Sequence, residues 1–149
     1  MTTLTDAWQR ALAAEQQAVF GYALAGSHLV PGTGSDLART CQDAHAALRD
    51  QASTAITAAG ALPVPPAADY PDLYPVTDAR SAQRLAARLE TDAATAWRYL
   101  YAVAAEALGA PSAPARAAGQ AALIASAVRA TRWRAMLDPA SATVPFPGI

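Results

Sequence analysis

The chain has 149 residues, 11 basic and 12 acidic side chains, a formal net charge of −1, and 53% apolar residues. That length suits one domain, the apolar fraction excludes intrinsic disorder, and the near-neutral balance excludes a general electrostatic attraction to nucleic acid. Alanine, at 42 copies, makes up more than half of the apolar residues, and there is no lysine or asparagine. Alanine is the strongest helix former and is depleted in strands, so the composition predicts an all-α fold with closely packed helices.

The eleven prolines divide the chain and leave four long proline-free windows, each reading as a helix. The first helix is expected over about 4–29. Thr3 or Thr5 would cap it, Pro31-Gly32-Thr33-Gly34 would end it, and its apolar stripe includes Leu4, Trp8, Leu12, Val19 and Tyr22. The second, about 36–59, starts after Ser35 as N-cap and stops before Gly60, with Leu37, Cys41, Leu48, Ala52 and Ile56 on its stripe. The third, about 78–108, starts at Thr77 or Asp78 and carries Leu85, Leu89, Trp97, Leu100, Val103 and Leu108. The fourth, about 114–137, opens on Pro114 and carries Ala122, Ser126, Arg129, Trp133 and Met136.

Each helix would be about 35–45 Å long. Short links pair the first with the second and the third with the fourth as antiparallel hairpins. The connection between hairpins, residues 61–77, holds five prolines. Extended at about 3.1 Å per residue it could run about 50 Å, a whole bundle length. One long crossover between two helical hairpins is the arrangement of a ferritin-like four-helix bundle. The tail, 138–149, is expected along the bundle surface, anchored by Val144, Phe146 and Ile149.

The lone cysteine, Cys41, permits no intrachain disulfide. The first six residues show no basic stretch, and no apolar run is long enough to span a bilayer. A cytoplasmic protein without membrane insertion is therefore expected.

Four ionisable residues interrupt the apolar stripes: Glu15, His45, Glu90 and Arg129, one on each helix. A glutamate is almost never fully buried without a partner. If the crossover returns the chain to the top of the bundle, His45 and Glu90 lie nearly level, and Glu15 and Arg129 come within about a turn of them. That mid-bundle height is where such folds hold di-metal sites, on a Glu from each of two helices and a Glu-x-x-His pair from each of the others. Here the pattern is incomplete. Gln42 stands where the second helix would need a carboxylate, and Ser126 and Arg129 fill the positions on the fourth. Arg129, joined by Arg49, is expected to take the place of the cation and pair with Glu15 and Glu90, because guanidinium is always charged and fits carboxylates. The alternative is one Fe, Mn or Zn ion on Glu15, His45 and Glu90.

Weaker signals favour structural roles. Cys41 and His45 are i,i+4 neighbours, but a small buried cysteine is the commoner outcome than a nucleophile–base pair. His28 lies near a helix end, and Gly32-Thr33-Gly34 follows a helix rather than a strand and reads as a turn. Arg129, Arg132 and Arg134 beside Trp133 scatter over different helical faces, so no nucleic-acid surface is expected. Trp97, Tyr99 and Tyr101 suit the core or a subunit interface.

Several segments together resemble an actinobacterial ferritin-like domain family of unknown function. They are Ala14-Glu15, Gly21-Tyr22, His45, Arg49-Asp50, Tyr74-Pro75-Val76-Thr77-Asp78, Leu89-Glu90, the run from Ala127 to Arg134, and Phe146-Pro147-Gly148. The resemblance spans nearly the whole chain. It implies a ferritin-like bundle and no defined activity. Relatives in the wider superfamily that handle iron or oxygen need six ligands, which this chain lacks at Gln42, Ser126 and Arg129. The expected function is a non-catalytic binding or scaffold protein, with no cofactor, acting as a homodimer. The alternative is a metalloprotein with a reduced Glu15/His45/Glu90 site and oxidoreductase activity.

Overall fold

A computed structural model describes residues 2–149. The helices are α1 (Leu4–Gly26), α2 (Thr33–Ala58), α3 (Ala79–Glu106) and α4 (Ser112–Leu137), with 3₁₀ turns at Pro71–Leu73 and Pro139–Ser141 and no strand among the described residues. Two helices open on reciprocal caps. Thr3 Oγ1 accepts from the Asp6 N–H at 3.1 Å while the Asp6 carboxylate accepts from the Thr3 N–H at 2.9 Å. Asp78 accepts from the Ser81 N–H at 2.7 Å, and Ser81 Oγ accepts from the Asp78 N–H at 3.0 Å.

Four boundaries differ from the sequence expectation, the simplest being the fourth helix, which starts at Ser112 after Pro111 rather than at Pro114. The first helix ends at Gly26 rather than 29, because the chain turns at Ser27, whose hydroxyl donates to the Leu24 carbonyl at 2.8 Å, and then buries Leu29. The second starts at Thr33, not after Ser35. Gly32, at φ +104°, makes the bend that a side-chain-bearing residue resists, and its carbonyl accepts from the Asp36 N–H at 2.8 Å. The third stops at Glu106, which leaves Leu108 in the loop, 97% exposed rather than on the core stripe. Met136, also expected on a stripe, is 37% exposed near the end of α4.

Helix α1 packs closely on α2 and α3, and α3 on α4, while the backbones of α2 and α4 stay farther apart. Side-chain pairs fix the directions. Trp97 meets Glu15 and Glu90 meets Tyr22, so α1 and α3 are antiparallel. Gln42 reaches the Val19 carbonyl and His45 reaches Glu15, so α1 and α2 are antiparallel as well. The proline-rich crossover climbs α1 as its length requires. Gln9 donates to the Leu62 carbonyl at 2.7 Å and accepts from the Val64 N–H at 2.9 Å. One further heptad up, Gln16 donates to the Val64 carbonyl at 2.8 Å. At the top Tyr70 packs on Phe20, with ring centroids 5.1 Å apart. The result is a four-helix bundle of two antiparallel hairpins joined by one long crossover. No described helix is long and apolar enough to cross a membrane.

The core falls into two halves. The upper one gathers Tyr22, Leu29, Cys41, Leu85, Leu89 and Trp133; the lower one Trp8, Leu12, Ile56, Trp97 and Leu100. Alanines fill the space between the large side chains and let the helices approach. At Gly119 of α4 the helix backbones come close: an added Cβ would lie 3.0 Å from the backbone oxygen of Trp97 and the backbone nitrogen of Tyr101. Replacing Gly119 by alanine is therefore expected to destabilise the protein by about 1–2 kcal/mol, since overpacking outweighs the helix-propensity gain. Urea denaturation checks this, and a net gain in stability would mean that α3 and α4 separate freely.

The tail does not anchor as expected. Val144, Phe146 and Ile149 are 42%, 71% and 81% exposed. Gly148 makes the contact instead. Its φ of +83° and the 2.9 Å that would separate a Cβ from the Ala94 carbonyl leave room there for glycine alone.

Candidate functional site

Between the two core halves lies one polar layer. Glu15, His45, Glu90 and Ser126 are each 0% exposed, one from every helix. His45 sits between the two carboxylates. Its Nδ1 donates to Glu15 Oε2 at 2.5 Å and its Nε2 donates to Glu90 Oε1 at 3.0 Å. Arg129, with a side chain 13% exposed, places its Nε 3.0 Å from both oxygens of Glu90 and donates from Nη2 to Ser126 Oγ at 3.2 Å. Trp97 donates its indole N–H to Glu15 Oε1 at 2.5 Å. Tyr22 donates to Glu90 Oε1 at 2.6 Å and accepts from the Trp133 indole at 2.8 Å. No buried side-chain nitrogen or oxygen among the described residues lacks a partner.

The charges close as well as the hydrogen bonds. Two carboxylates can only accept, and a neutral imidazole has one N–H to give, so His45 holding both of them is an imidazolium. Burial by itself would lower its pKa; its hydrogen bonds to Glu15 and Glu90 and their charges outweigh that and raise it to about 9. Burial pushes Glu90 upward, but His45, Arg129 and Tyr22 hold its carboxyl below the ordinary value. Two negative charges thus face two positive ones inside a low-dielectric core, the condition under which buried ions are tolerated.

The three candidate metal ligands meet, but around one another rather than around a common point. Both imidazole nitrogens lie within hydrogen-bond distance of carboxylates, with the pKa of His45 raised so that both direct N–H groups at them at neutral pH, and a guanidinium covers Glu90. A coordinating histidine must be neutral with a free lone pair, so this donor set, as arranged, does not fit a metal ion. No described group of three or more His, Cys, Asp or Glu side chains is arranged to hold one.

The family model for Domain of unknown function (DUF4439) matches residues 7–149. The chain belongs to that family. It is also similar to a solved structure of a conserved hypothetical protein, rv2844, from Mycobacterium tuberculosis. The two are 35% identical, with a TM-score of 0.77 over 87% of this chain and 93% of that one. No curated protein matches the chain.

Of the residues singled out from this family member's sequence, Glu15, His45, Glu90 and Arg129 are brought together. Arg49 is not: one turn beyond His45, it is drawn sideways to Asp50 at 2.8 Å, with its side chain 38% exposed. Arg129 reaches Glu90 and not Glu15, the imidazole of His45 taking the second carboxylate instead. Cys41 is buried, and burial together with the charge of Glu90 raises its pKa, so the thiol stays protonated. His28 lies in the turn beyond α1, its N–H bonded to the Ala25 carbonyl. Arg132 points to solvent, and Arg134 donates to Thr91 at 2.7 Å. Tyr99 carries the Arg10 guanidinium 4.4 Å above its ring, and Tyr101 is 37% exposed.

The sequence reading missed Tyr22, Trp97 and Trp133 as members of the polar layer and counted them only as core. The signal was present. Tyr22 follows Glu15 by seven residues and Trp97 follows Glu90 by seven. Once two antiparallel helices are in the register that sets Glu15 against Trp97, that shared spacing sets Glu90 against Tyr22 as well.

Proposed function

We propose that the chain is a ferritin-like bundle acting in the cytoplasm as a non-catalytic binding or scaffold protein, its central metal layer replaced by a charge network of Glu15, His45, Glu90 and Arg129. The observation that carries this reading is His45 bound through both ring nitrogens to two carboxylates, one of which is also covered by Arg129. Both ring nitrogens of His45 and all four carboxylate oxygens of Glu15 and Glu90 are engaged within the layer, which supports a structural rather than a metal-holding role. The remaining reactive groups, the Cys41 thiol and the Tyr22 phenol, are buried, and both are raised in pKa by burial and the charge of Glu90.

Elemental analysis of untagged protein grown with Fe, Mn and Zn tests the reading. Metal well below one equivalent is expected in the wild type, and Arg129→Ala is expected to be strongly destabilised. Near-stoichiometric metal that Glu15→Ala loses would overturn it in favour of a Glu15/His45/Glu90 metalloprotein with oxidoreductase chemistry. The same proposal includes a homodimer, which the outward apolar side chains Ile124 and Val128 of α4, 55% and 49% exposed, support. Light scattering at micromolar concentration should then give twice the chain mass of 15.3 kDa; a monomer there would remove that part.

A further inference from the structure

At the lower end of the bundle, away from the charge layer, the start of α1, the end of α2 and the start of α4 enclose a pocket of about 350 Å³. It lies where the backbones of α2 and α4 stand farther apart than those of the other neighbouring helices. Leu4, Ala58, Pro114 and Ala115 give apolar walls, and no charged side chain lines it. Two hydrogen-bond donors interrupt those walls, Thr5 and Trp8, three residues apart on one face of α1.

Trp8 differs from the other two tryptophans. Trp97 and Trp133 donate their indole N–H groups to Glu15 and Tyr22. Trp8 is only 8% exposed, yet its N–H has no protein acceptor among the described residues. A buried indole N–H ordinarily finds a partner. Every fully enclosed side-chain nitrogen and oxygen described has one, so the Trp8 nitrogen is not fully enclosed, and Trp8 is among the residues that line this pocket. The rigidity of that wall is supplied from behind, where Trp8 meets Trp97 edge-on with centroids 5.7 Å apart.

We infer that this pocket binds a small, neutral, flat apolar molecule carrying one hydrogen-bond acceptor, such as an aromatic ketone or ester, with the acceptor on the Trp8 indole N–H and the Thr5 hydroxyl. The size lies at the lower end of small-molecule sites, and the absence of lining charge disfavours ions. The inference is independent of the charge layer, which shares no residue with the pocket.

The test uses acetophenone as probe and the intact ¹⁵N-labelled chain, whose three tryptophans give three indole N–H resonances. Acetophenone is expected to shift the Trp8 resonance saturably, with a dissociation constant on the order of 1 mM for so small a probe. The Trp97 and Trp133 resonances should stay in place. Ethylbenzene, equal in shape but without the acceptor, should bind several-fold more weakly. Ala58→Phe, at an exposed rim position, should abolish the shift while leaving the other two indoles where they were. A Trp8 resonance that does not move up to about 10 mM probe overturns the inference. So does a shift that survives Ala58→Phe, or ethylbenzene binding as tightly as acetophenone. A Trp8 resonance that moves with protein concentration alone overturns it too, because a second copy would then fill the pocket.

Discussion

Replacing Glu90 by alanine is expected to lower the free energy of unfolding by about 3–5 kcal/mol, the cost of leaving buried charges without their counter-ion. Glu90 is the hub of the layer. It accepts from His45, Arg129 and Tyr22 at once, and its removal strands the Arg129 cation and the Tyr22 phenol and leaves His45 with Glu15 alone. Since a domain of this size holds only about 5–15 kcal/mol in total, the variant should be close to unfolding at 37 °C. Glu106→Ala is the control. The third glutamate of the chain is exposed near the end of α3, and its loss should move stability by no more than about 0.5 kcal/mol. Urea denaturation of both variants at pH 7 decides the matter. A loss under about 1 kcal/mol for Glu90→Ala would show that the layer is not held together through this carboxylate.

Alkaline pH is expected to undo the same layer. His45 keeps its proton in the folded chain up to about pH 9, against an ordinary value of 6.5. Between those values the folded state binds more protons than the unfolded state does. The stabilisation is complete below about pH 6.5 and drains away as the pH rises through 9, amounting to about 3 kcal/mol in all. Tyr22 acts with the same sign at higher pH. Burial and the charge of Glu90 keep its phenol protonated in the fold, while the unfolded chain would ionise near 10. At the acid end the sign reverses. Glu90 sits below its ordinary 4.5, so its contribution is present above that value and is lost as the pH falls. A stability plateau between about pH 5 and 6.5 follows, with a decline on each side. Urea midpoints measured from pH 6 to 10 on the wild type and on His45→Gln provide the test. The wild type should fall across this range and the variant should be low and nearly flat. A wild-type profile that is flat between pH 6.5 and 9 would show that His45 is not held as a cation.

The solved neighbour from Mycobacterium tuberculosis, at 35% identity, offers an independent place to look for the pairing of the charge layer. The crossed arrangement of Glu15 with Trp97 and Glu90 with Tyr22 needs the seven-residue spacings on two antiparallel helices and the register that brings them level. It is expected there if both the spacings and the register are kept.

The helices themselves, their order and the long crossover were legible in the chain, because they follow from local chemistry. Proline cannot continue a helix, alanine favours one, and a five-proline segment has the reach to span the bundle. The same local periodicity put Glu15, His45, Glu90 and Arg129 on inward stripes. Only the folded bundle decided which of them meet. Arg49 shares a face with His45 yet turns to Asp50, and Arg129 serves one carboxylate while an imidazole serves both. Those choices depend on helix phase to within a fraction of a turn and on rotamers, and spacing along one helix carries neither. The tail shows the limit most plainly. Its large apolar side chains promised an anchor, but it is Gly148 that docks, because the groove beside Ala94 admits no Cβ. The pocket beside Trp8 is likewise a product of packing. It comes from the distance between α2 and α4, which no single stretch of the chain encodes.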